Sequence, residues 1–329
     1  MSLQIIKAGI LDTIQDGGRY GYQHLGINPG GGMDRYAQRL GNALLGKDLN
    51  APVIEMHFPA SQILFEERMI ICLTGADLSA RINGQRIPLS QPVAINTNTV
   101  LSFEKIISGA RCYLSFLDEP DLIMWLGSHS TNLKAQAGGI NGRALKKGDR
   151  INFKKVFDPE SLLAGKDFLI LPWRVNEDIK NATMVRLIKG QEWNWLTEDS
   201  KTHFKNEAYT ISNSSDRMGY RLKGNALATN TTEQLISSPV TFGTVQLLPD
   251  GQLIILMADH QTTGGYPRIG NVISIDLPVL AQKNPGDKIM FVEATQLFAE
   301  QELAAQQKHL LHLQAASKMK IEKFLNVTR

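Results

Sequence analysis

The stretch QLISSPVTFGTVQLLPDGQLIILMADH, residues 234–260, contains two apolar runs on either side of Pro249-Asp250-Gly251. A proline followed by an aspartate and a glycine is typical of a β-turn. The stretch therefore predicts two short strands joined by a turn. Further short β-rich segments, separated by Asn-Gly, proline or glycine, occur at residues 69–89, 92–104 and 109–117. Their spacing favours an antiparallel barrel or sandwich over alternating β-α units, so we expect a mainly β fold.

Two segments predict helices instead. In GGGMDRYAQRLGNALLG, residues 30–46, apolar residues recur every three or four positions, at Met33, Ala37, Leu40 and Leu44. This spacing gives a helix one apolar face, and Gly46 is expected to end it. The tail from about 295 to 324 is helical by the same criterion, with Leu303, Leu310 and Leu311 on its apolar side.

A chain of 329 residues is long enough for two hydrophobic cores. We place an N-terminal β-rich subdomain with its helix at residues 1–120, a second β-rich subdomain at 121–294 and a C-terminal helix at 295–329. Residues 121–165 are rich in Gly, Ser and Asn and predict a long surface loop. The sequence leaves open whether the second subdomain is continuous in the chain.

The charge balance and the apolar pattern exclude several classes of protein. The 35 basic and 32 acidic residues give a formal net charge of +3 without a clustered basic face, which argues against a nucleic-acid partner. The first residues lack the pattern of a signal peptide, and no apolar run reaches the roughly 18 residues of a membrane span. Cys72 and Cys112 lie in apolar, strand-like runs, which predicts core residues rather than a disulfide or a reactive thiol. We therefore expect a cytoplasmic protein without membrane contact.

Three polar clusters stand out against this β background, at residues 15–35, 212–224 and 259–271. Each combines arginine with hydroxyl or carboxylate groups and with glycines. Glycines allow successive backbone N–H groups to converge on an anion, and arginine offers a planar fork that matches carboxylate or phosphate. Each cluster alone could simply hold a turn in place. Because ligand sites on β scaffolds are usually assembled from several loops, the three together favour one pocket for a small anionic molecule.

Several known chemical motifs are absent. No segment matches the phosphate-binding loop G-x-x-x-x-G-K-[ST] or the G-x-S-x-G motif of serine hydrolases. The seven histidines do not have zinc-site spacing, so we predict no metal. SKMKIEKFL, residues 317–325, faintly resembles a biotin attachment site, but its lysines fall on the predicted C-terminal helix instead of a hairpin tip. We therefore expect no covalent biotin on this chain.

A family resemblance covers most of the chain, from about residue 8 to residue 292. QDGGRYGYQHLGI, GGMDRYAQRLGNALLG, SSDRMGYRL, SSPVTFGTVQLLPDGQLIILMADHQTTGGYP and VISIDLPVLAQKNPGD occur here in family order. They resemble the biotin-dependent carboxyltransferase subdomain A and B family, also called the allophanate hydrolase subunit 2 family. That family includes the C subunit of bacterial 5-oxoprolinase and the KipI antagonist KipA. The resemblance implies two β-rich subdomains, one of them a cyclophilin-like β-barrel.

The resemblance also implies an activity and partners. The leading hypothesis is the C subunit of an ATP-dependent 5-oxoprolinase, an amidohydrolase that opens 5-oxoproline to glutamate and is active only as a complex. One implied partner is a carboxyltransferase-like protein of the C and D type, such as the B subunit of 5-oxoprolinase or a KipI-like protein. The other is a LamB/YcsF-like protein, the A subunit of the same enzyme. ATP would act at the level of the complex, because no nucleotide loop of known type is present.

The residues of the three clusters are assigned roles as hypotheses. The arginines would hold anionic groups, the amide and hydroxyl groups would orient the carbonyl or phosphate oxygen, and one of two aspartates could act as a base. The candidate catalytic residues are Asp216, Arg217, Asp259, Thr262 and Thr263. The candidate substrate-binding residues are Asp16, Arg19, Asp34, Arg221, Gln261, Tyr266 and Arg268.

Two other functions remain open at this stage. In one, the chain is a regulatory protein that binds a KipI-like kinase inhibitor and performs no chemistry. In the other, it is a component of urea or amide carboxylation and depends on a biotin carrier from another subunit. We rank the first of these above the second.

Overall fold

The computed structural model describes residues 2–156, 158–176 and 182–327. Its contacts divide the chain into two compact units. Unit 1 comprises Met1–Gly18, Asp34–Ile179 and Gln307–Arg329, and unit 2 comprises Arg19–Met33 and Lys180–Gln306. The chain therefore contributes to unit 2 in two separate segments, the first of which is short.

Unit 1 is built mainly from strands. In chain order its strands are β1 (Ser2–Lys7), β2 (Thr13–Gln15), β3 (Val53–His57), β4 (Gln62–Phe65), β5 (Met69–Asp77), β6 (Ala80–Ile82), β7 (Gln85–Arg86), β8 (Pro92–Ile95), β9 (Thr99–Phe103), β10 (Ser108–Phe116), β11 (Glu119–Pro120), β12 (Arg150–Lys154) and β13 (Phe168–Ile170). Its helices are α1 (Arg35–Leu44) and the short α2 (Glu160–Leu163).

Unit 2 contains the remaining strands and most of the other helical segments. The strands are β14 (Met184–Lys189), β15 (Tyr209–Ile211), β16 (Gly219–Lys223), β17 (Ser238–Pro239), β18 (Thr244–Leu247), β19 (Leu253–Leu256), β20 (Thr263–Gly264), β21 (Arg268–Val272) and β22 (Lys288–Glu293). The helices are α3 (Glu198–Asn206) and α4 (Leu277–Ala281), with 3-10 turns at Gln23–Leu25 and Trp193–Trp195. Helix α5 (Gln296–Val327) starts in unit 2 and continues into unit 1.

Two antiparallel sheets form a sandwich in unit 1. The strand orders are β11-β12-β1-β4-β9-β6-β7 and β13-β8-β5-β10-β3-β2. One core cluster contains side chains from both sheets, for example Ile5 and Phe65 from the first and Leu73 and Leu114 from the second. Fully burying one such side chain contributes about 1.5–3 kcal/mol, so this shared cluster is what holds the sheets together. The predicted mainly β, antiparallel architecture is confirmed.

Helices cover the other face of the second sheet. Successive residues of β5 alternate between the two sides, so that Ile71 packs inside the sandwich and Cys72 packs against α1 and α5. This explains why the first five residues of β5, 69–73, are all apolar. Cys72 and Cys112 belong to different clusters and are free and fully buried, as predicted. Burial raises the pKa of both thiols well above the usual value.

Helix α1 confirms the helix predicted from residues 30–46. The Asp34 side chain caps it by accepting a hydrogen bond from the Ala37 backbone N–H at 2.8 Å. Leu40 and Leu44 are buried on its apolar face. Met33 differs from the prediction, because it lies before the helix and packs in the core of unit 2.

A closed seven-stranded barrel forms the centre of unit 2, in the order β14-β21-β18-β19-β16-β15-β22. The barrel closes where β22 pairs with β14 in parallel, whereas the other pairs are antiparallel. Aromatic rings fill one part of its core, where Phe204 stacks on Phe291 with ring centroids 4.7 Å apart. The predicted hairpin is confirmed as β18 and β19, and the Gly251 N–H donates to the Leu248 carbonyl across the turn at 2.9 Å.

The two units differ from the subdomain boundaries expected at residues 120 and 294. Residues 121–179 belong with the N-terminal half, because β12 pairs with β1 and β13 pairs with β8. Residues 19–33 belong instead with the barrel unit. Local composition could not indicate either assignment, since both depend on pairing between segments far apart in the chain.

Helix α5 extends over the predicted C-terminal helix, and the final two residues of that prediction lie outside the described part of the chain. The predicted apolar side was wrong in part. Leu310 is fully buried, but Leu303 and Leu311 are 42% and 46% exposed. Ile321 is the other large side chain that α5 buries in unit 1. None of the helices in the described residues has the length and apolar character needed to cross a membrane.

We predict that the contact between Gly46 and α5 stabilises unit 1. Gly46 has a φ of +64°, and a Cβ there would lie 2.7 Å from Cα of Lys318 in the α5 backbone. Gly46→Ala should therefore cost ~1–2 kcal/mol for its backbone conformation and a further ~1–3 kcal/mol for overpacking. Urea unfolding of the full chain measures this loss.

Gly84→Ala is the matched control for that measurement. Gly84 also has a positive φ, of +83°, but a Cβ there would have no neighbour within 4 Å. This variant should lose only the backbone contribution. Equal losses in the two variants would contradict the packing of α5 against Gly46.

Candidate functional site

A row of three side chains lies on the outer face of the barrel in unit 2. The residues that flank Arg221, Gln246 and Ile254 in β16, β18 and β19 all belong to the barrel core. Because neighbouring residues of a strand face opposite sides, these three side chains point outward. Arg221 and Gln246 are both register partners of Ile254, on either side of it. Ile254 therefore stands between a cationic and an amide side chain.

A pocket of about 560 Å³ is built on this row. Four of its lining residues were candidates from the sequence, namely Asp216, Arg221, Gln261 and Tyr266. The others are Ser214, Met218, Gly219, Gln246, Leu248, Pro249, Asp250 and Ile254. The structure thus brings together parts of two polar clusters, 212–224 and 259–271, and adds the β18–β19 turn.

Arg221 is the cationic group of this pocket. Its side chain is exposed, and its hydrogen bonds within the described part of the chain come from its backbone, to Ser212 and Ser215. The guanidinium group is therefore placed to bind an anionic ligand through its planar fork.

Asp216 lines the same pocket but has a local structural task. Its Oδ1 accepts hydrogen bonds from the backbone N–H groups of Met218 at 2.8 Å and Gly219 at 3.2 Å. These bonds hold the turn that leads into β16. Asp216 therefore positions the strand that carries Arg221.

Arg217 and Asp259 form a buried ion pair in unit 2 and do not line the pocket. Nε and Nη2 of Arg217 lie 2.8 and 3.1 Å from the two carboxylate oxygens of Asp259, and Nη2 also donates to the Gly31 carbonyl at 2.7 Å. The side chain of Arg217 is 6% exposed and that of Asp259 is 18% exposed. This arrangement fastens the 19–33 segment to the two loops that border the pocket.

Arg19 lies in the same group of residues. It is 1% exposed, and a Cβ on Gly30 would lie 3.4 Å from Arg19 Nη1 and 3.7 Å from Asp259 Oδ1. Gly30, with a φ of +62°, therefore leaves space for a close approach of backbone and charged groups. We call Arg19, Gly30, Gly31, Arg217 and Asp259 the arginine–aspartate cluster. It joins members of all three sequence clusters within unit 2.

Asp16 and Asp34, which were substrate-binding candidates, have structural partners in unit 1. The Asp16 carboxylate accepts from the Oγ atoms of Ser128 and Ser130, both at 2.6 Å, and from the backbone N–H of Gly18 at 2.8 Å. Asp34 caps α1. Neither residue lines the pocket. Asp16 holds the irregular loop that follows β11 in place.

The last three candidates are Thr262, Thr263 and Arg268. The Thr262 carbonyl accepts from the Val240 N–H at 3.1 Å, and Thr263 belongs to β20, which pairs with β17. Arg268 is bound to Glu192 through Nε at 3.0 Å and Nη2 at 2.8 Å. Burial acts to raise the pKa of Glu192, but the hydrogen bonds from Arg268 lower it below its usual value. These three residues lie outside the pocket lining.

Eight lining residues were not candidates from the sequence, and two of them, Gln246 and Ile254, complete the row with Arg221. Gln246 had a usable signal, because it is a lone amide inside the apolar run TVQLL. Ile254 had none, since an outward isoleucine on a half-covered strand cannot be told from a core residue by composition. Within the described ranges, no group of three or more His, Cys, Asp or Glu side chains could hold a metal ion.

Comparison with known proteins identifies relatives that extend along most of the chain. Residues 25–293 match the family model described as carboxyltransferase domain, subdomain A and B. The chain is 35% identical over 293 residues to the 5-oxoprolinase C subunit of Escherichia coli K12. This match covers 89% of this chain and 91% of that protein. The chain is also 29% identical over 317 residues to urea amidolyase of Saccharomyces cerevisiae. That match covers 88% of this chain but only 16% of the amidolyase.

A solved structure shows the same architecture. The crystal structure of Kluyveromyces lactis urea carboxylase matches with a TM-score of 0.85 and 25% sequence identity. The match covers 96% of this chain and 29% of that one. The fold described above is therefore also found as one part of a much longer enzyme.

We predict that the Arg217–Asp259 pair is worth far more to unit 2 than an exposed ion pair. Arg217→Met or Asp259→Asn should each cost about 3–5 kcal/mol in the free energy of unfolding, because each removes the charged partner of a largely buried charge. The double variant should lose less than the sum of the two. Lys189→Met, which removes a surface pair with Glu293, is the control and should cost under about 1 kcal/mol. Additive losses would contradict direct coupling.

A second prediction concerns the pH dependence of the Arg268–Glu192 pair. A carboxyl group whose pKa is lowered by folding stabilises the protein above its unfolded pKa, and this stabilisation is lost as pH falls through the folded value. Arg268→Met should therefore destabilise the protein at pH 7, and the loss should be smaller at about pH 3, below the usual pKa of a glutamate. Urea unfolding at both pH values measures the difference. The same difference in the free energy of unfolding between wild type and variant at both pH values would contradict a stabilising role of the Arg268–Glu192 pair.

Proposed function

Because the chain belongs to the carboxyltransferase domain, subdomain A and B family, we propose that it is the C subunit of a 5-oxoprolinase. The observation that carries this proposal is the extent of the match to the Escherichia coli protein, 91% of which is included. A match to the yeast urea amidolyase accounts for only 16% of that enzyme. The identity to the Escherichia coli subunit is also higher, at 35% against 29%, which makes it the better comparison for this chain.

The pocket in unit 2 fits the chemistry of 5-oxoproline. This molecule has a carboxylate, a ring amide and a short apolar ring edge. Arg221 would bind the carboxylate with its guanidinium fork. Ile254 would contact the ring CH₂ groups, and Gln261 and Tyr266, which lie at the same pocket, would donate hydrogen bonds to the amide carbonyl. Donors at that oxygen make the carbonyl carbon more electrophilic, because they stabilise the charge that develops when water adds.

The reaction also requires groups that we assign to the complex. ATP would supply a phosphoryl group that activates the amide carbonyl, and we place its site on the assembled complex. The partners would be a carboxyltransferase-like protein of the C and D type and a LamB/YcsF-like protein. We further propose that this chain carries no biotin. Lys318 and Lys320, the lysines of the faint attachment-site resemblance, lie on α5 and not on a β-hairpin.

Reconstitution of the chain with these two partners tests the proposal. We expect ATP hydrolysis that depends on 5-oxoproline and on all three chains. Arg221→Ala should reduce kcat/KM by about tenfold to a hundredfold, the range expected for a lost charged hydrogen bond. Lys223→Ala is the matched control, because it removes a cation from the same side of β16 outside the pocket.

The possible outcomes separate the functions considered. A well-assembled complex without 5-oxoproline-dependent turnover would contradict the oxoprolinase assignment. If this chain alone binds and neutralises a KipI-like kinase inhibitor, that result would then support the regulatory function. If the chain carboxylates urea or an amide together with a biotin carrier, that result would support the carboxyltransferase function. Full activity of Arg221→Ala would leave the oxoprolinase assignment intact but would show that this pocket is not the site that binds 5-oxoproline.

A further inference from the structure

Gln246 is an unusual residue for its position in the barrel. It lies in β18, whose four residues are all buried, and its own exposure is 0%. Its neighbours Val245 and Leu247 pack in the barrel core, whereas Gln246 faces outward into the pocket lining. An amide at such a position must be satisfied by hydrogen bonds or be kept for another reason.

The orientation of the Gln246 amide follows from its contact with Tyr266. Its Nε2 lies 3.5 Å from the Tyr266 backbone carbonyl oxygen. A carbonyl oxygen only accepts hydrogen bonds, so the amide atom that faces it has to be the nitrogen. Oε1 is then the free end of the amide, and it is buried without a hydrogen-bond donor among the described residues.

The surroundings of the amide are shaped to hold it there. A Cβ on Gly264 would lie only 2.6 Å from Gln246 Nε2, so the amide can keep this position only beside a glycine. The amide nitrogen thus lies close to the Gly264 backbone and to the Tyr266 carbonyl. A fixed, buried acceptor without a donor is costly to the fold, and such groups are often found where a ligand or a reaction uses them.

The strand register sets the dimensions of a matching ligand. Arg221, Ile254 and Gln246 occupy three adjacent strands, and adjacent strands are about 4.8 Å apart. The two polar residues are therefore roughly 10 Å apart at their backbones, a distance that their side chains shorten. A ligand of this site has an anionic group for Arg221, a few apolar atoms over Ile254 and an N–H donor for Gln246.

We propose that Gln246 Oε1 accepts a hydrogen bond from the ring N–H of a cyclic amide that Arg221 holds by its carboxylate. This inference rests on the proposed function and deepens it, because it assigns the residue that distinguishes an amide from an ester. A lactone of the same shape places a ring oxygen, which is only an acceptor, opposite Oε1. The site would bind the lactone more weakly, because neither its ring oxygen nor Gln246 Oε1 can donate a hydrogen bond.

Binding must also open the lining slightly, because Oε1 is enclosed in the structure. Met218 and Tyr266 are the large hydrophobic side chains of the lining that are most open to solvent, at 40% and 44%.

The test compares two ligands in the reconstituted complex without ATP. Calorimetry measures the Kd of 5-oxoproline and of 5-oxotetrahydrofuran-2-carboxylate, in which oxygen replaces the ring N–H. We expect the wild-type complex to bind the amide about tenfold more tightly, which corresponds to about 1.4 kcal/mol. Gln246→Met removes the acceptor at nearly constant shape and should bring the ratio of the two Kd values close to one.

Gln38→Met is the matched control. Gln38 is also fully buried with an unpartnered amide in the described structure, but it lies on α1 in unit 1 and outside the pocket. Its replacement should leave the wild-type ratio unchanged. A change in both variants would show that the ratio follows the loss of any buried amide, which would overturn the inference.

The remaining outcomes distinguish this inference from the proposed function. Equal affinity of the wild type for both ligands, or a preference that survives in Gln246→Met, would overturn the role of Gln246. If 5-oxoproline turnover persists in either case, the function stands. Absence of both binding and turnover in the wild-type complex would overturn the function and the inference together.

Discussion

The bidentate pair between Arg217 and Asp259, together with the Gly31 carbonyl, is the interaction on which the functional half of unit 2 depends. It joins three segments that are far apart in the chain, because Arg217 precedes β16, Asp259 follows β19 and Gly31 belongs to the early 19–33 segment. Backbone pairing adds to the side-chain contacts, since the Asp259 N–H donates to the Arg217 carbonyl at 2.8 Å. Burial of two opposite charges is favourable only when their hydrogen bonds are satisfied, and here the geometry satisfies them.

The polar clusters of this chain therefore contain two kinds of residue. Those of the arginine–aspartate cluster are buried and connect loops to the barrel. Those of the pocket, such as Arg221 and Tyr266, lie on the outer barrel face or on the loops beside it. The two kinds occur close together in the chain, because Arg217 lies in the turn before β16 whereas Arg221 lies within that strand. In SSDRMGYRL, Arg217 is tied down whereas Arg221, four residues later, is available to a ligand.

The first polar cluster illustrates how one continuous motif can serve two compact units. Asp16 and Asp34 hold a loop and a helix of unit 1, whereas residues 19–33 between them belong to the barrel unit. Met33 and Asp34 are neighbours in the chain but contribute to different units, one to a core and the other to a helix cap.

The sequence by itself determined the mainly β class, the family, α1, the β18–β19 turn and the burial of both cysteines. These features depend on local periodicity, turn chemistry and motif order, which can be read directly from adjacent residues. Only the tertiary structure decided which arginine is buried in an ion pair, that β12 completes the sheet of β1, and that Gln246 borders the pocket. These features depend on hydrogen-bond and ion-pair partners from distant segments. Local patterns cannot specify such partners, because every arginine or glutamine has the same intrinsic chemistry until the fold selects its neighbours.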